Sequence, residues 1–218
     1  TNLAIFFYLN KWYDKAIKTC DTALAIYPDN PITLYVKGKS FTDKKDYHQA
    51  LLQFKKIVEI QPDFLSPHFD LAKLYLLMGD NDKALKEYKR AAELDPKDAS
   101  VHLSIGNIYT GQGKNDEALA EYKQVLALAP DSPVGYNELA YIYAESETNL
   151  GQGLEYALKA AELAPRDASI LDTLGWVYFK KGNFEKAIEN LKSSVELRPN
   201  SPTIRYHLGM AHYKNSDL

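Results

Sequence analysis

Apolar side chains recur along this chain at the spacing expected for one face of a helix. Residues 65–98 show the pattern in two segments, each of about a dozen residues. The apolar positions are Leu71, Leu74, Tyr75 and Met78 in the first segment, and Ala84, Leu85, Tyr88, Ala91 and Leu94 in the second. Steps of three and four residues place such side chains on one side of an α-helix. The pattern therefore predicts a pair of amphipathic helices that pack against each other.

Prolines repeat with the period of the helix pairs. Six of them are separated by 34, 34, 34, 35 and 34 residues, at Pro28, Pro62, Pro96, Pro130, Pro165 and Pro199. Small residues such as Ala72 and Ala84 recur with the same period and allow two helices to approach closely. Because proline cannot continue a helix, we expect each pair to end just before one. A fixed period of this length is typical of helical solenoids.

Residues with special backbone preferences stand at the predicted helix ends. Glycine tolerates the left-handed conformation that often ends a helix, and Gly79, Gly113 and Gly182 follow first helices. Short polar side chains accept hydrogen bonds from the free N–H groups where a helix begins. The predicted N-caps are Asp98, Ser132, Asp167 and Ser201. These local signals agree with the period and support the same helix boundaries.

This combination of small residues, tyrosine, alanine and proline at a 34-residue period resembles the tetratricopeptide repeat (TPR) family over essentially the whole chain. The resemblance implies an all-α fold, with about thirteen helices in a right-handed superhelical solenoid of antiparallel helix pairs. It divides a single array, residues 1–218, into a partial repeat 1–30, full repeats 31–64, 65–98, 99–132, 133–167 and 168–201, and a terminal helix 202–218. The stretch Asp172 to Trp176 resembles bacterial members, including those of exopolysaccharide-export and envelope-sorting systems.

The repeat 133–167 departs from the others by one extra residue. We place this residue in the turn between its two helices, where residues 147–152 replace the usual short glycine turn. A short loop extension costs little free energy, so we interpret the insertion as tolerated. The alternative interpretation is a binding loop.

Composition excludes several classes of protein. The chain has 26 Lys and Arg against 29 Asp and Glu, a formal net charge of −3, which argues against nucleic-acid binding. The longest apolar run, from Leu3 to Leu9, is too short to span a bilayer. A single cysteine, Cys20, excludes an intramolecular disulfide and fits either the cytoplasm or a bacterial periplasm or envelope. The compartment therefore stays open.

No group of residues has the spacing of a catalytic or metal site. His207 and His212 are five residues apart, whereas two ligands on one helix face need a spacing of four. Acidic pairs such as Asp80 and Asp82 stand where helices begin, and there their negative charges interact favourably with the positive end of the helix dipole. We therefore predict no catalytic residue, no cofactor and no metal.

The family resemblance implies a concave groove formed by the first helix of each repeat. The expected groove residues are Tyr35, Lys39, Phe69, Asp70, Lys73, Asn107, Asn137, Glu138, Tyr141, Glu145, Asp172, Trp176, Phe179, Tyr206 and Tyr213. Acidic and aromatic members concentrate between residues 133 and 213. Large exposed aromatic side chains are typical anchors of protein interfaces. We therefore expect this half to bind a peptide with apolar anchors and basic flanks.

Some family members grip a C-terminal carboxylate with lysine, asparagine and arginine side chains of three consecutive repeats. No three repeats here supply that set. Where Tyr35 and Lys39 begin a candidate set, the next repeat offers Asp70, which would repel a carboxylate. A carboxylate clamp is not expected.

These observations predict a non-enzymatic protein–protein interaction scaffold that binds a peptide or partner protein in its groove. An alternative is the recruiting segment of a larger enzyme, such as a glycosyltransferase or protease, or of an envelope or export assembly. The first repeat lacks its opening residues, so we interpret the chain as a fragment. Its apolar residues Leu3, Phe6, Phe7 and Leu9 also predict self-association through the N-terminal end.

Overall fold

The computed structural model describes residues 1–147 and 149–216, which form thirteen α-helices and no β-strand. The helices are α1 Asn2–Leu9, α2 Tyr13–Ile26, α3 Pro31–Asp43, α4 Tyr47–Ile60, α5 Leu65–Leu77, α6 Asn81–Leu94, α7 Ala99–Gly111, α8 Asn115–Leu128, α9 Pro133–Glu145, α10 Leu150–Leu163, α11 Ala168–Lys180, α12 Phe184–Leu197 and α13 Pro202–Ser216. Each predicted repeat holds one pair, and the predicted all-α fold of antiparallel helix pairs is confirmed.

Two compact units divide the chain. The first unit, Thr1–Lys97, contains α1 to α6, and the second unit, Asp98–Leu218, contains α7 to α13. Within each unit a helix packs on the helix that follows it. In the second unit α11 also contacts both α9 and α13. The first helices of successive pairs are therefore neighbours there, and side chains from α9, α11 and α13 can line one surface.

Side chains cap the helices as the sequence predicts. Asp98 Oδ1 accepts a hydrogen bond from the Ser100 N–H at 2.9 Å, and Asp167 Oδ1 accepts one from the Ser169 N–H at 2.8 Å. Ser132 and Ser201 accept from the N–H groups three residues ahead. Each capping bond satisfies one of the donors that a helix start leaves free. The four predicted N-caps are confirmed.

The turns between paired helices use left-handed residues. Gly79, Gly113 and Gly182 have φ of 78°, 71° and 76°, as predicted. In two other pairs the same conformation falls on Lys11 and Lys45, with φ of 60° and 63°. The sequence signal for a left-handed residue is glycine, so the two lysine positions were not predicted. A non-glycine residue in this conformation costs free energy that glycine avoids.

The extended turn of the repeat 133–167 is shorter than predicted. The helix α9 ends at Glu145 and α10 begins at Leu150, so residues 150–152 of the predicted turn are helical. Thr148, within the predicted turn, lies outside the described residues. Glu147 and Asn149 both have positive φ, 52° and 49°. The Lys180 Nζ donates to Glu147 Oε1 at 2.8 Å and ties the turn to α11.

Candidate binding groove

Side chains of α9, α11 and α13 line an open pocket of about 310 Å³ in the second unit. We call it the α9–α11–α13 pocket. Four of the predicted groove residues line it: Asn137, Glu138, Tyr141 and Asp172. Thr173, His207 and the loop residue Arg198 line it too. The structure thus brings together these four predicted groove residues from two neighbouring helices, α9 and α11.

Asn137 is a buried amide with an unused acceptor. Only 8% of the residue is exposed. Its Nδ2 donates to Glu138 Oε1 at 3.1 Å, whereas its buried Oδ1 has no hydrogen-bond partner among the described residues. A buried acceptor without a partner costs free energy, and such groups are rare in folded proteins. Asn137 therefore presents an acceptor that a donor entering the pocket can satisfy.

Glu138 beside it is a carboxylate that the fold does not neutralise. Burial raises the pKa of Glu138, and the hydrogen bond from Asn137 offsets only part of that effect. Among the described residues no cation forms an ion pair with Glu138. Burial disfavours a charge that has no partner of opposite sign. The site is acidic and favours a cationic or donor group.

Tyr141 forms the aromatic part of the pocket. Its side chain is half-buried. Burial raises the pKa of Tyr141, and the charges of Glu145, Glu138 and Asp172 raise it further. The phenol thus lies in the field of three carboxylates. An aromatic ring in an acidic environment is suited to contact a cation.

Trp176 does not present an open ring as predicted. It is 7% exposed, and its ring stacks between Phe179 and His207 with centroid distances of 4.7 Å and 4.1 Å. Its Nε1 donates to Glu145 Oε1 at 2.6 Å. The prediction of Trp176 as an exposed anchor is wrong, because α13 covers the ring with His207. Phe179, in the same stack, is half-buried.

Asp172 has a partner within the unit. The Nδ1 of His207 lies 2.9 Å from Asp172 Oδ1, and both side chains are largely buried. Asp172 therefore differs from Glu138, since Asp172 faces a histidine that can carry a positive charge, whereas Glu138 is hydrogen-bonded to a neutral amide.

The remaining predicted residues of the second unit lie elsewhere. Tyr206 and Tyr213 on α13 are 61% and 62% exposed, as expected of groove aromatics, but neither lines the pocket. Asn107 is exposed on α7 and accepts a hydrogen bond from the Tyr122 hydroxyl at 2.8 Å. Arg198, the residue that follows α12, was missed because the family pattern assigns the groove to first helices only. Its Nη1 donates to Ser169 Oγ at 3.2 Å.

Two of the predicted residues of the first unit pair with each other. Lys39 Nζ donates to Asp70 Oδ1 at 3.1 Å, so the carboxylate that argued against a clamp already has a cation beside it. The other oxygen, Asp70 Oδ2, is buried and has no hydrogen-bond partner among the described residues. Burial and the charge of Asp70 raise the pKa of Tyr35. Phe69 packs edge-on against Tyr88, with centroids 6.0 Å apart, and Lys73 is exposed.

The described part of the chain has neither a metal site nor a membrane-spanning helix. No three His, Cys, Asp or Glu side chains come together there as a metal site would require. No described helix has the length and apolar character needed to cross a membrane.

Comparison with known proteins identifies the repeat. Models described as tetratricopeptide repeat match residues 32–64, 69–133 and 111–168, and a model described as TPR repeat matches residues 175–216. The chain belongs to the tetratricopeptide repeat family. A curated relative, the TPR repeat-containing protein PA4667 of Pseudomonas aeruginosa, is 34% identical over 73 residues. That match covers 34% of this chain and 12% of the relative, so the chain spans only a small part of the relative's length.

Solved TPR structures share the fold. YrrB, described as a TPR protein with an unusual peptide-binding site, has 16% identity and a TM-score of 0.69 over 86% of this chain and 96% of its own. PilW, a type IV pilus biogenesis factor, has 22% identity and a TM-score of 0.73 over 95% and 96%. MamA from Desulfovibrio magneticus RS-1 has 20% identity and a TM-score of 0.69 over 79% and 98%. At these identities the likeness is one of fold.

Proposed function

We propose that this TPR chain is a protein-interaction scaffold that binds a peptide segment along α9, α11 and α13. The observation that carries the proposal is the open pocket of about 310 Å³ on three neighbouring helices. Polar and aromatic side chains meet there, including a buried acceptor without a partner at Asn137. A peptide supplies both the N–H donors and the apolar contacts that such a surface can use.

The rigidity of the surface favours binding. Helices hold Asn137, Tyr141 and Asp172 in place, and Asp172 is further fixed by His207. A preformed surface loses little conformational entropy when a ligand binds, so more of the contact energy appears as affinity. The unusual peptide-binding site of YrrB supports the same proposal, as a precedent in a protein of similar fold.

Selection from a random peptide library on the immobilised protein tests the proposal. Selected peptides are then titrated by fluorescence anisotropy against the wild type and two variants. Tyr141→Ala removes the aromatic wall of the pocket and should weaken binding by about tenfold or more, as loss of an interface anchor does. Leu158→Ala is the matched control, because Leu158 is a large exposed apolar residue on the second helix α10. Equal binding by all three proteins would contradict the proposal.

A further inference from the structure

We propose that the α9–α11–α13 pocket takes a lysine or arginine side chain of the bound peptide, whose charged group donates to Asn137 Oδ1 and to the Glu138 carboxylate. The inference rests on the proposed function and names the chemistry of the partner at one position. Asn137 Oδ1 calls for a donor, and Glu138 calls for a positive charge. A basic side chain is the peptide group that provides both.

The other carboxylates around the pocket already have partners. Asp172 is paired with His207, Glu145 accepts from Trp176 at 2.6 Å, and Glu147 accepts from Lys180 at 2.8 Å. Among the described residues, the donor to Glu138 is the neutral amide Nδ2 of Asn137. A buried or half-buried carboxylate is normally paired with a cation. A ligand can therefore supply the cation with which Glu138 would pair.

The cationic side chains near the pocket do not pair with Glu138 among the described residues. Arg198 lines the same pocket, but its guanidinium donates to Ser169 Oγ and to no carboxylate among the described residues. Lys180 is held by Glu147, and its Nζ lies 5.3 Å from the Trp176 ring centroid. Arg198 also suggests the opposite ligand, an acidic side chain. We favour the basic one, because Asn137 is the group with the unsatisfied buried atom and it offers an acceptor.

Tyr141 adds a contact for the same cation. Its ring lines the pocket beside Glu138. The face of a tyrosine attracts an ammonium or guanidinium group, more strongly where water is excluded. The half-buried position of Tyr141 and the nearby carboxylates favour this contact. A neutral side chain of similar length would fill the space and lose these electrostatic contacts.

The test uses pools of short peptides with random flanks and one fixed central residue: lysine, arginine, norleucine, N-acetyl-lysine or glutamate. Each pool is titrated against the full chain, and amide chemical shifts of α9, α11 and α13 report binding in the pocket. N-acetyl-lysine removes the charge from the ligand while the protein stays unchanged. We expect the lysine or arginine pool to bind about tenfold more tightly than the norleucine and N-acetyl-lysine pools, as loss of a charge-assisted hydrogen bond would give.

Two protein variants test the acceptor. Glu138→Gln removes the charge, keeps the shape and can still accept from Asn137, so it should abolish the preference for basic pools. Glu155→Gln is the matched control, because Glu155 on α10 is exposed and also accepts from a side-chain amide, Gln152 Nε2, at 2.9 Å. It should retain the preference in full.

The outcomes separate this inference from the proposed function. Equal shifts in the pocket with every pool would leave peptide binding supported and overturn the basic side chain. Preference for the glutamate pool would also overturn it, in favour of a ligand for Arg198. If no pool shifts any resonance of α9, α11 or α13, both the inference and the proposed function are contradicted.

Discussion

Replacing Gly106 by alanine is expected to destabilise the second unit, although alanine is the better helix former. A Cβ at this position would collide with Tyr122 Cε1 and lie 2.8 Å from Cδ1. The Tyr122 ring cannot move aside easily. It is completely buried, and its hydroxyl lies 2.8 Å from Asn107 Oδ1 and 3.0 Å from Thr110 Oγ1. The new methyl group therefore forces α7 and α8 apart.

Two opposing terms set the size of the effect. Alanine gains about 1 kcal/mol over glycine within a helix. Overpacking a filled core costs about 1–3 kcal/mol, and the short contact with a held ring places Gly106→Ala at the upper end. The expected result is a net loss of about 1–2 kcal/mol in the free energy of unfolding.

Urea unfolding followed by circular dichroism measures this effect. The control is Gly111→Ala on the same helix, where an added Cβ would meet nothing within 4 Å. Because Gly111 ends α7, its replacement should change the midpoint little or raise it slightly. If Gly106→Ala is as stable as the wild type, the contact between position 106 and the Tyr122 ring does not restrict side-chain size there, and the prediction is wrong.

Three further predictions concern charge and association. The pKa of Glu138 is raised in the fold, so its ionised form destabilises the folded state at pH 7. Glu138→Gln should therefore increase the free energy of unfolding at pH 7. Urea titrations should show this gain vanishing well below about pH 4, where glutamate is neutral in both the folded and the unfolded state. Burial lowers the pKa of His68, but bonds to Glu87 and to the Pro62 carbonyl raise it more, so that the net pKa is raised. The stability from this pair is present below about pH 6.5 and is lost as the pH rises through the folded pKa, so Glu87→Gln should lower the melting temperature more at pH 6 than at pH 8. Phe6 is half exposed on the largely apolar helix α1, and sedimentation should show concentration-dependent association that Phe6→Ser reduces; a strict monomer in the wild type would contradict this.

Helix boundaries were predictable because the signals that set them are local. The apolar spacing, the prolines and caps such as Asp98 and Asp167 all act within a few residues of the helix that they define. The left-handed lysines Lys11 and Lys45 were not predictable, since a non-glycine residue takes that conformation only where the surrounding packing enforces it. The start of α10 was misplaced because the extra residue of this repeat was assigned to a turn over residues 147–152, whose last three residues are helical.

The grouping of the candidate site followed from the sequence more readily than its exposure did. The family pattern names Asn137, Glu138, Tyr141 and Asp172 as groove residues, and in the structure these four side chains line one pocket. It could not show that His207 from the next repeat stacks on Trp176 and closes it off from solvent. Burial of a first-helix residue depends on the side chain that the neighbouring repeat supplies. That information lies about one repeat away along the chain and has no local signature.

Photo-cross-linking tests the central claim, that peptides bind along the first helices of the second unit, most directly. A peptide selected from the library, with a photoreactive group at one end, is irradiated with the full chain, and mass spectrometry locates the cross-linked residues. The account predicts adducts on α9, α11 and α13, competed by the unlabelled peptide and weakened by Tyr141→Ala. Adducts confined to the second helices α10 and α12, or insensitive to that substitution, would contradict it.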